Sequence, residues 1–272
     1  MRLHDLAVVN DKLDIRPIQA ADIPAIARLM LRVHGKQTRL TEAYLTWQYV
    51  DNPDGEAIGY NAWDGDALVA HYACLPVTFT NAGAEASSSV AHRWLWSLNT
   101  ATHPDYRGQG LFPLLAKQTY ERGLDKGFSA VIGVANGQSA GGFVKKLGFV
   151  ALGQLSIYLS LHSLFDGKGL SRQISLPHRL QRLKRLNDNP GYILVAYRGI
   201  PLVSKVFAAA SYRGPHLYVG LQKPSSLIGF KIPEWLKPSP WVVVYRELGK
   251  GPQTGAPELP LIQIEMLDSD SI

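Results

Sequence analysis

The run His103-Pro104-Asp105-Tyr106-Arg107-Gly108-Gln109-Gly110-Leu111-Phe112 constrains this chain more than any other stretch. An apolar-rich segment, Trp94 to Thr102, leads into it, and Leu111, Leu114 and Leu115 leave it at helical spacing. The pattern predicts strand, glycine-rich turn, helix. The first N–H groups of such a helix lack intrahelical partners, and the helix dipole adds partial positive charge beside them. Gly108 and Gly110 let the main chain approach a ligand closely, and Arg107 adds a cation, so the turn suits a pyrophosphate. A plain strand-to-helix turn fits the same spacing. The run has no Gly-Lys-Ser/Thr ending for a nucleotide P-loop and no first glycine for a dinucleotide turn.

Composition narrows the setting. The chain has 272 residues and one cysteine, Cys74, which excludes an internal disulfide and suits a reducing cytoplasm. One Cys and scattered His give no zinc pattern, so no metal is expected. No apolar run reaches the length of a membrane span, and Met1 to Asn10 has no export core, so a cytoplasmic protein is expected. The net charge of +6 fits an anionic cofactor, and fits nucleic acid or acidic lipid equally well.

Residues 13 to 18 alternate in polarity as a strand does, and Ala20 to Val33 follow at helical spacing. A second helix is predicted from Thr41 to Val50, with Thr41 as cap, ending at the turn Asp51-Asn52-Pro53-Asp54-Gly55. Two strands, Ala57 to Trp63 and Ala67 to Thr80, flank the hairpin turn Asp64-Gly65-Asp66, and Asn81 to Ser89 reads as a turn. After the central run come a helix from Leu111 to Lys126, a strand Ala130 to Val134, a helix from Asn136 to Leu147 and a strand Val150 to Leu161. Beyond Ser163 a boundary at Asp166-Gly167-Lys168-Gly169 precedes a short basic helix, Leu176 to Leu186. A solvated face explains its charge better than a lipid or nucleic-acid contact. Apolar runs at 192–197, 217–221, 241–245 and 261–266 then read as strands of a β-rich extension.

The central run resembles motif A of the GNAT superfamily of acyl-CoA-dependent N-acyltransferases, Arg/Gln-x-x-Gly-x-Gly/Ala, with Arg107, Gly110 and Phe112 at the three named positions. Phe112 departs from it, a bulky ring where a small residue usually lets the helix approach the cofactor. A second element is similar to the same family: the strand Val131-Ile132-Gly133-Val134, then Asn136, then a closing Gly148-Phe149. The resemblance covers roughly residues 13 to 160. It implies an α/β fold with a mixed sheet: a GNAT-like catalytic domain at 1–161 that binds acetyl-CoA, and a β-rich extension or second small domain at 162–272.

The resemblance also implies roles. Main-chain groups of Ala101 and Thr102 would face the pantetheine, and the turn Arg107, Gly108, Gln109, Gly110, Leu111, Phe112 would hold the diphosphate. Asn136 would face the pantetheine arm or the acceptor, and Phe143 would flank the cofactor. Trp47, Tyr49 and Asn52, with Pro53 and Gly55, look like the W-x-Y-x-x-N-P-x-G signature of a subgroup linked to bacterial polysaccharide and amino-sugar acetylation, which places them at the acceptor. A plain reading of the same residues is two core aromatics and a turn.

A primary amine is mostly protonated near neutrality and cannot attack in that form, so a base or water relay is needed. Many relatives carry a Glu on the central strand, whereas Arg93 to Thr102 here holds no carboxylate. Asn99 and Ser97 are candidates to orient a water, and His103 to accept a proton, though a His at a strand end is commonly only exposed. The usual acid is a Tyr in the helix before Gly-Phe; Phe143 and Val144 stand there, leaving Ser139 and Tyr158 as substitutes. The acidic tail, with Asp268 and Asp270, resembles that of long relatives whose terminal carboxylate reaches the active site, but a frayed, solvated end explains it better. The expected acceptor is a small-molecule primary amine, an amino sugar among the candidates. A homodimer is compatible, and no nucleic acid is expected. The missing Glu and Tyr motivate an alternative, a module that binds acyl-CoA without turnover.

Overall fold

The computed structural model describes residues 12–36, 38, 40–81, 91–137, 139–163, 170–172, 216–221, 227–236, 240–249 and 262–263. The chain opens with β1 (Asp14–Pro17) and α1 (Ile23–His34). In α1, Ile23, Ile26, Leu29 and Met30 form one buried stripe at helical spacing, and Gly35, at φ 82°, ends the helix. In α2 (Glu42–Tyr49) the Thr41 hydroxyl accepts from the Tyr44 amide at 3.2 Å, the cap expected from sequence.

Next come β2 (Ile58–Asp64), β3 (Ala67–Asn81), β4 (His92–Thr102), α3 (Leu111–Asp125), β5 (Ala130–Ala135), α4 (Ala140–Leu147) and β6 (Val150–Gln154). Then follow β7 (Ser156–Ser163), β8 (Leu170–Arg172), β9 (His216–Gly220), β10 (Leu227–Lys231), β11 (Val242–Glu247) and β12 (Ile262–Gln263). The main sheet runs β1-β2-β3-β4-β5-β11-β6, with β8 beside β3 and β12 beside β8. Within the run from β1 to β6 the β4–β5 pair is parallel and every other neighbour is antiparallel.

Two apolar layers close on this sheet. The α1/α2 face packs on Leu75, Trp94, Trp96 and Ile132. The opposite face buries Leu111, Leu115, Phe143 and Leu147 of α3 and α4 against Tyr72, Leu95 and Val131. This is the mixed α/β sheet that the resemblance implies.

Two features depart from the sequence reading. The expected strand 150–161 is two strands: β6 pairs with β11, while β7 leaves for a separate three-stranded sheet, β10-β7-β9. The break falls at Leu155, whose amide donates to the Trp241 carbonyl, just after Gly153 at φ 143°. Asn136 starts a turn rather than the helix, and α4 begins at Ala140.

Of the later runs, 217–221 and 241–245 correspond to β9 and β11, and 262–263 forms β12, while β8 and β10 had no sequence signal. β11 lies in the main sheet between β5 and β6 and supplies the ladder partner of each. The basic helix at 176–186, the run 192–197, the turn at 82–89 and the tail with Asp268 and Asp270 lie outside the described residues.

Candidate active site

The β4–β5 ladder runs from Trp94 opposite Ala130 to Ser97 opposite Gly133 and ends there. β4 continues to Thr102 along β3 alone, with Ala101 opposite His71 and Thr102 opposite Ala70. Between Leu98 and Ala101 the register slips, three steps on β4 matching two on β3, so β4 carries a bulge. Asn99 sits in it at φ 50°, the one left-handed non-glycine among the described residues. A bulged strand turning away from its parallel neighbour opens a slot whose β4 wall, Leu98 to Thr102, has main-chain groups with no β5 partner.

The glycine-rich turn lies at the end of that wall. The residues 104–106 make one short turn, and the His103 amide donates to the Val69 carbonyl at 2.8 Å. Gly108 and Gly110 take φ 79° and 76°, a region in which an L side chain is strained, and a Cβ on either would meet nothing within 4 Å. The first helical bond of α3 is made by the Leu114 amide to Gly110, so the amides of Leu111 and Phe112 have no intrahelical partner. Those of Gly108, Gln109 and Gly110 make no backbone bond among the described residues.

Cations gather at this turn. Arg107 donates from Nε to the Thr102 carbonyl at 3.4 Å, which ties its guanidinium to the strand end. From α1, Arg32 Nη1 lies 3.0 Å from His103 Nε2. His34, at the end of α1, has its pKa lowered, first by desolvation and second by the charge of Arg107. The turn thus offers unpaired amides, a helix N-terminus and basic side chains to an anion.

On the α1/α2 face a polar chain crosses the apolar layer. Asp22 Oδ2 accepts from the Gln19 amide at 3.0 Å and from Asn61 Nδ2 at 2.9 Å. Asn61 Oδ1 lies 2.7 Å from His71 Nδ1, and His71 Nε2 lies 2.9 Å from the Tyr49 hydroxyl. Asn99 Nδ2 then donates to Tyr49 Oη at 3.0 Å and to Gln48 Oε1 at 2.5 Å. Asp22, Asn61, His71, Tyr49 and Gln48 are all buried. Desolvation lowers the His71 pKa to about 3 and raises that of Tyr49 above its usual range, so both are neutral near pH 7.

On the other face, the Tyr72 hydroxyl lies 2.8 Å from Ser97 Oγ and 2.6 Å from the Tyr120 hydroxyl, beneath α3. Ser97 is buried there, turned from the face that holds Asn99. His103 is occupied at the strand end, with the Asp105 amide 3.3 Å from Nδ1 and Arg32 at Nε2. Asn136 and Ser139 bond each other: the Ser139 amide donates to Asn136 Oδ1 at 2.9 Å, and Asn136 N to Ser139 Oγ at 3.1 Å. Tyr158 stands on β7 in the separate sheet, opposite Tyr218 and Lys231.

Among the acceptor candidates, Trp47 is buried edge-on to Tyr44, and Asn52 accepts from the Asp54 amide at 3.0 Å to hold its turn. Of the three, Tyr49 joins the chain to Asn99. Phe112 points between α3 and α4, its ring 5.3 Å from that of Phe143 and 5.7 Å from that of Tyr72. Phe143 is itself buried against Phe149 at 5.1 Å.

A family model described as an acetyltransferase (GNAT) domain matches residues 14–151, half of the chain. The chain belongs to the GNAT acetyltransferase family. No curated protein matches it by sequence. Among solved structures it is similar to a GNAT family N-acetyltransferase from Escherichia coli in complex with CoA, at 22% identity over 51% of this chain and 69% of that one, TM-score 0.39. It is also similar to an acetyltransferase from Pyrococcus horikoshii, at 12% identity over 87% and 90%, TM-score 0.47. A third is a conserved protein from Enterococcus faecalis, at 11% identity over 58% of this chain, TM-score 0.44; this chain spans 38% of that protein's length.

GNAT acetyltransferases take the acetyl group from acetyl-CoA, and the turn fits such a carrier. Its donors are N–H groups and guanidinium, the chemistry a diphosphate requires, and the space before Gly108 and Gly110 is open. The residues that sequence reasoning missed are Asp22, Arg32, His34, Asn61 and His71. The signal for two of them was a polar residue inside an apolar strand, Asn61 in Ile58–Asp64 and His71 in Ala67–Asn81. Among the described residues no group of three or more His, Cys, Asp or Glu could hold a metal ion, and no helix is long and apolar enough to cross a membrane.

Proposed function

We propose that this GNAT enzyme moves an acetyl group from acetyl-CoA to the primary amine of a small molecule, an amino sugar being the favoured class, by direct attack in a ternary complex. The observation that carries this is the meeting of the β4–β5 slot with the anion turn at Arg107 to Phe112. When bound, acetyl-CoA supplies an activated thioester. The amides of Gly108 to Phe112 and the Arg107 guanidinium hold its diphosphate, and main-chain groups from Leu98 to Thr102 line the slot.

The chain's own work is then positioning, which by itself accounts for a large share of such rate enhancements. Asn99, at the bulge, is the side chain of β4 available to the acceptor. β4 has no carboxylate, and in this reading water held at the slot takes the proton of the amine. The amino-sugar assignment rests on the resemblance of the segment from Trp47 to Gly55 to the subgroup signature.

The test is thiol release from acetyl-CoA over a panel of amines, run beside calorimetric titration of CoA. Release that depends on an amine supports the transferase. CoA binding with no turnover on any amine would make the chain a carrier-binding module, and no CoA binding at all would remove the reading.

A further inference from the structure

The buried chain on the α1/α2 face has a direction. Asp22 Oδ2 accepts, so Asn61 must present Nδ2 to it, at 2.9 Å, and turn Oδ1 toward His71. Asn61 Oδ1 can only accept, so His71 carries its proton on Nδ1 and leaves Nε2 bare for the Tyr49 hydroxyl to donate to. Tyr49 Oη, having spent its proton, accepts from Asn99 Nδ2. Gln48 Oε1 accepts from the same Nδ2 and fixes the amide a second time. Each of these bonds then has one donor and one acceptor, and the carbonyl oxygen of Asn99 remains at the end.

That atom is Asn99 Oδ1, which accepts no hydrogen bond from the described residues. Asn99 is partly exposed, whereas the four residues behind it are buried. It lies on β4 beyond the last β4–β5 pair, in the bulge that opens the slot. Hydrogen bonds running one way polarise one another, by about 10–30% per bond, so the carboxylate of Asp22 deepens the negative end of the Asn99 carbonyl dipole. An acceptor atom so placed selects for an N–H donor, and best for a cationic one.

We propose that Asn99 Oδ1 is the docking atom for the ammonium group of the acetyl acceptor, and that Asp22, Asn61, His71 and Tyr49 are positioning residues that aim and polarise it. The assignment rests on the transferase reading above and adds to it the chemical group bound and the residues that orient it. No proton moves along the chain in this role. The ammonium is caught at the slot and gives up its proton to water there. An acceptor without N–H, such as an alcohol or a quaternary ammonium, gains less from the site or nothing.

The experiment follows the Asn99 side-chain amide by NMR, assigned against Asn99→Gly, while the CoA-loaded protein is titrated with propylammonium. A saturable shift is expected, and tetramethylammonium, of equal charge without N–H, leaves the resonances in place. Tyr49→Phe removes the hydroxyl that links His71 to Asn99, and is expected to weaken propylammonium binding about two- to fourfold, a fraction of one hydrogen bond to a charged group, with CoA affinity unchanged. Equal responses to the two cations, or no response of Asn99 in the unmodified protein, overturn the proposal, and neither outcome depends on Tyr49→Phe. Loss of CoA binding in the unmodified protein would count against the transferase reading instead, and the same cation titration without CoA separates the two failures.

Discussion

Tyr49 Oη lies 2.9 Å from Nε2 of His71, inside an apolar layer where neither residue is more than 3% exposed. The contact requires a bare Nε2. Protonating His71 would set two donors against each other and leave a charge with no carboxylate in direct contact.

Stability should therefore depend on pH. Burial lowers the folded-state pKa of His71 to about 3, against 6.5 in the unfolded chain. Between those values the unfolded state binds more protons, so this contribution is whole above pH 6.5, falls as the pH drops toward 3, and is level below. The span corresponds to about 5 kcal/mol, large against the whole stability of a domain. Urea denaturation from pH 7.5 to 4 should show this slope, and His71→Gln should flatten it. The same slope in both proteins would place the acid sensitivity elsewhere.

Gly110 offers a cleaner test of the anion turn. At φ 76° with open space before it, Gly110→Ala should cost about 1 kcal/mol of stability through backbone strain and narrow the approach to the amides. Gly127, at φ 81° between α3 and β5, carries the same strain far from the turn. CoA affinity measured by calorimetry is expected to fall at least about tenfold in Gly110→Ala and to stay level in Gly127→Ala. Equal affinities would remove the turn from the carrier's site.

Much of this was legible in the sequence because it is local. The periodicity of Ile23 to Met30, the Thr41 cap and the strand-turn-helix at Trp94 to Asp125 each declare themselves within one contiguous stretch. The bulge at Asn99 did not: Asn tolerates a left-handed backbone better than most side chains, but one Asn within a strand does not mark a bulge. The polar chain was hidden for a related reason: its partners stand 39, 10 and 22 residues apart, and only the register of β2 against β3 brings Asn61 and His71 together. Likewise an apolar run such as Val242 to Tyr245 reads as a strand without saying which gap it fills.

Cys74 reports on the integrity of β3. It is fully buried, and burial pushes its thiol up to about 12 despite the nearby Tyr72 hydroxyl. At a given pH the thiolate fraction is about a thousandfold below that of a free thiol, before access is counted. Iodoacetamide should leave the native protein unmodified over hours and react fully in denaturant. Modification of the native protein at the free-thiol rate would contradict the burial of β3.

The placement of β11 makes the last prediction, because it decides whether residues 1–161 can stand alone. Val242 to Tyr245 pair with Ala135 to Ile132 on one side and with Gln154 to Val150 on the other, so without β11 both β5 and β6 expose an edge. Val243, Val244 and Tyr245 are buried, and at about 1.5–3 kcal/mol each their loss approaches the full stability of a small domain. Arg246 Nη1 also donates to the Leu147 carbonyl at 2.5 Å, capping the last turn of α4. A fragment of residues 1–161 should melt without a cooperative transition and fail to bind CoA, while the full chain should melt cooperatively and bind it. A sharp transition in the fragment would show that β5 and β6 close on each other without the strand that now separates them.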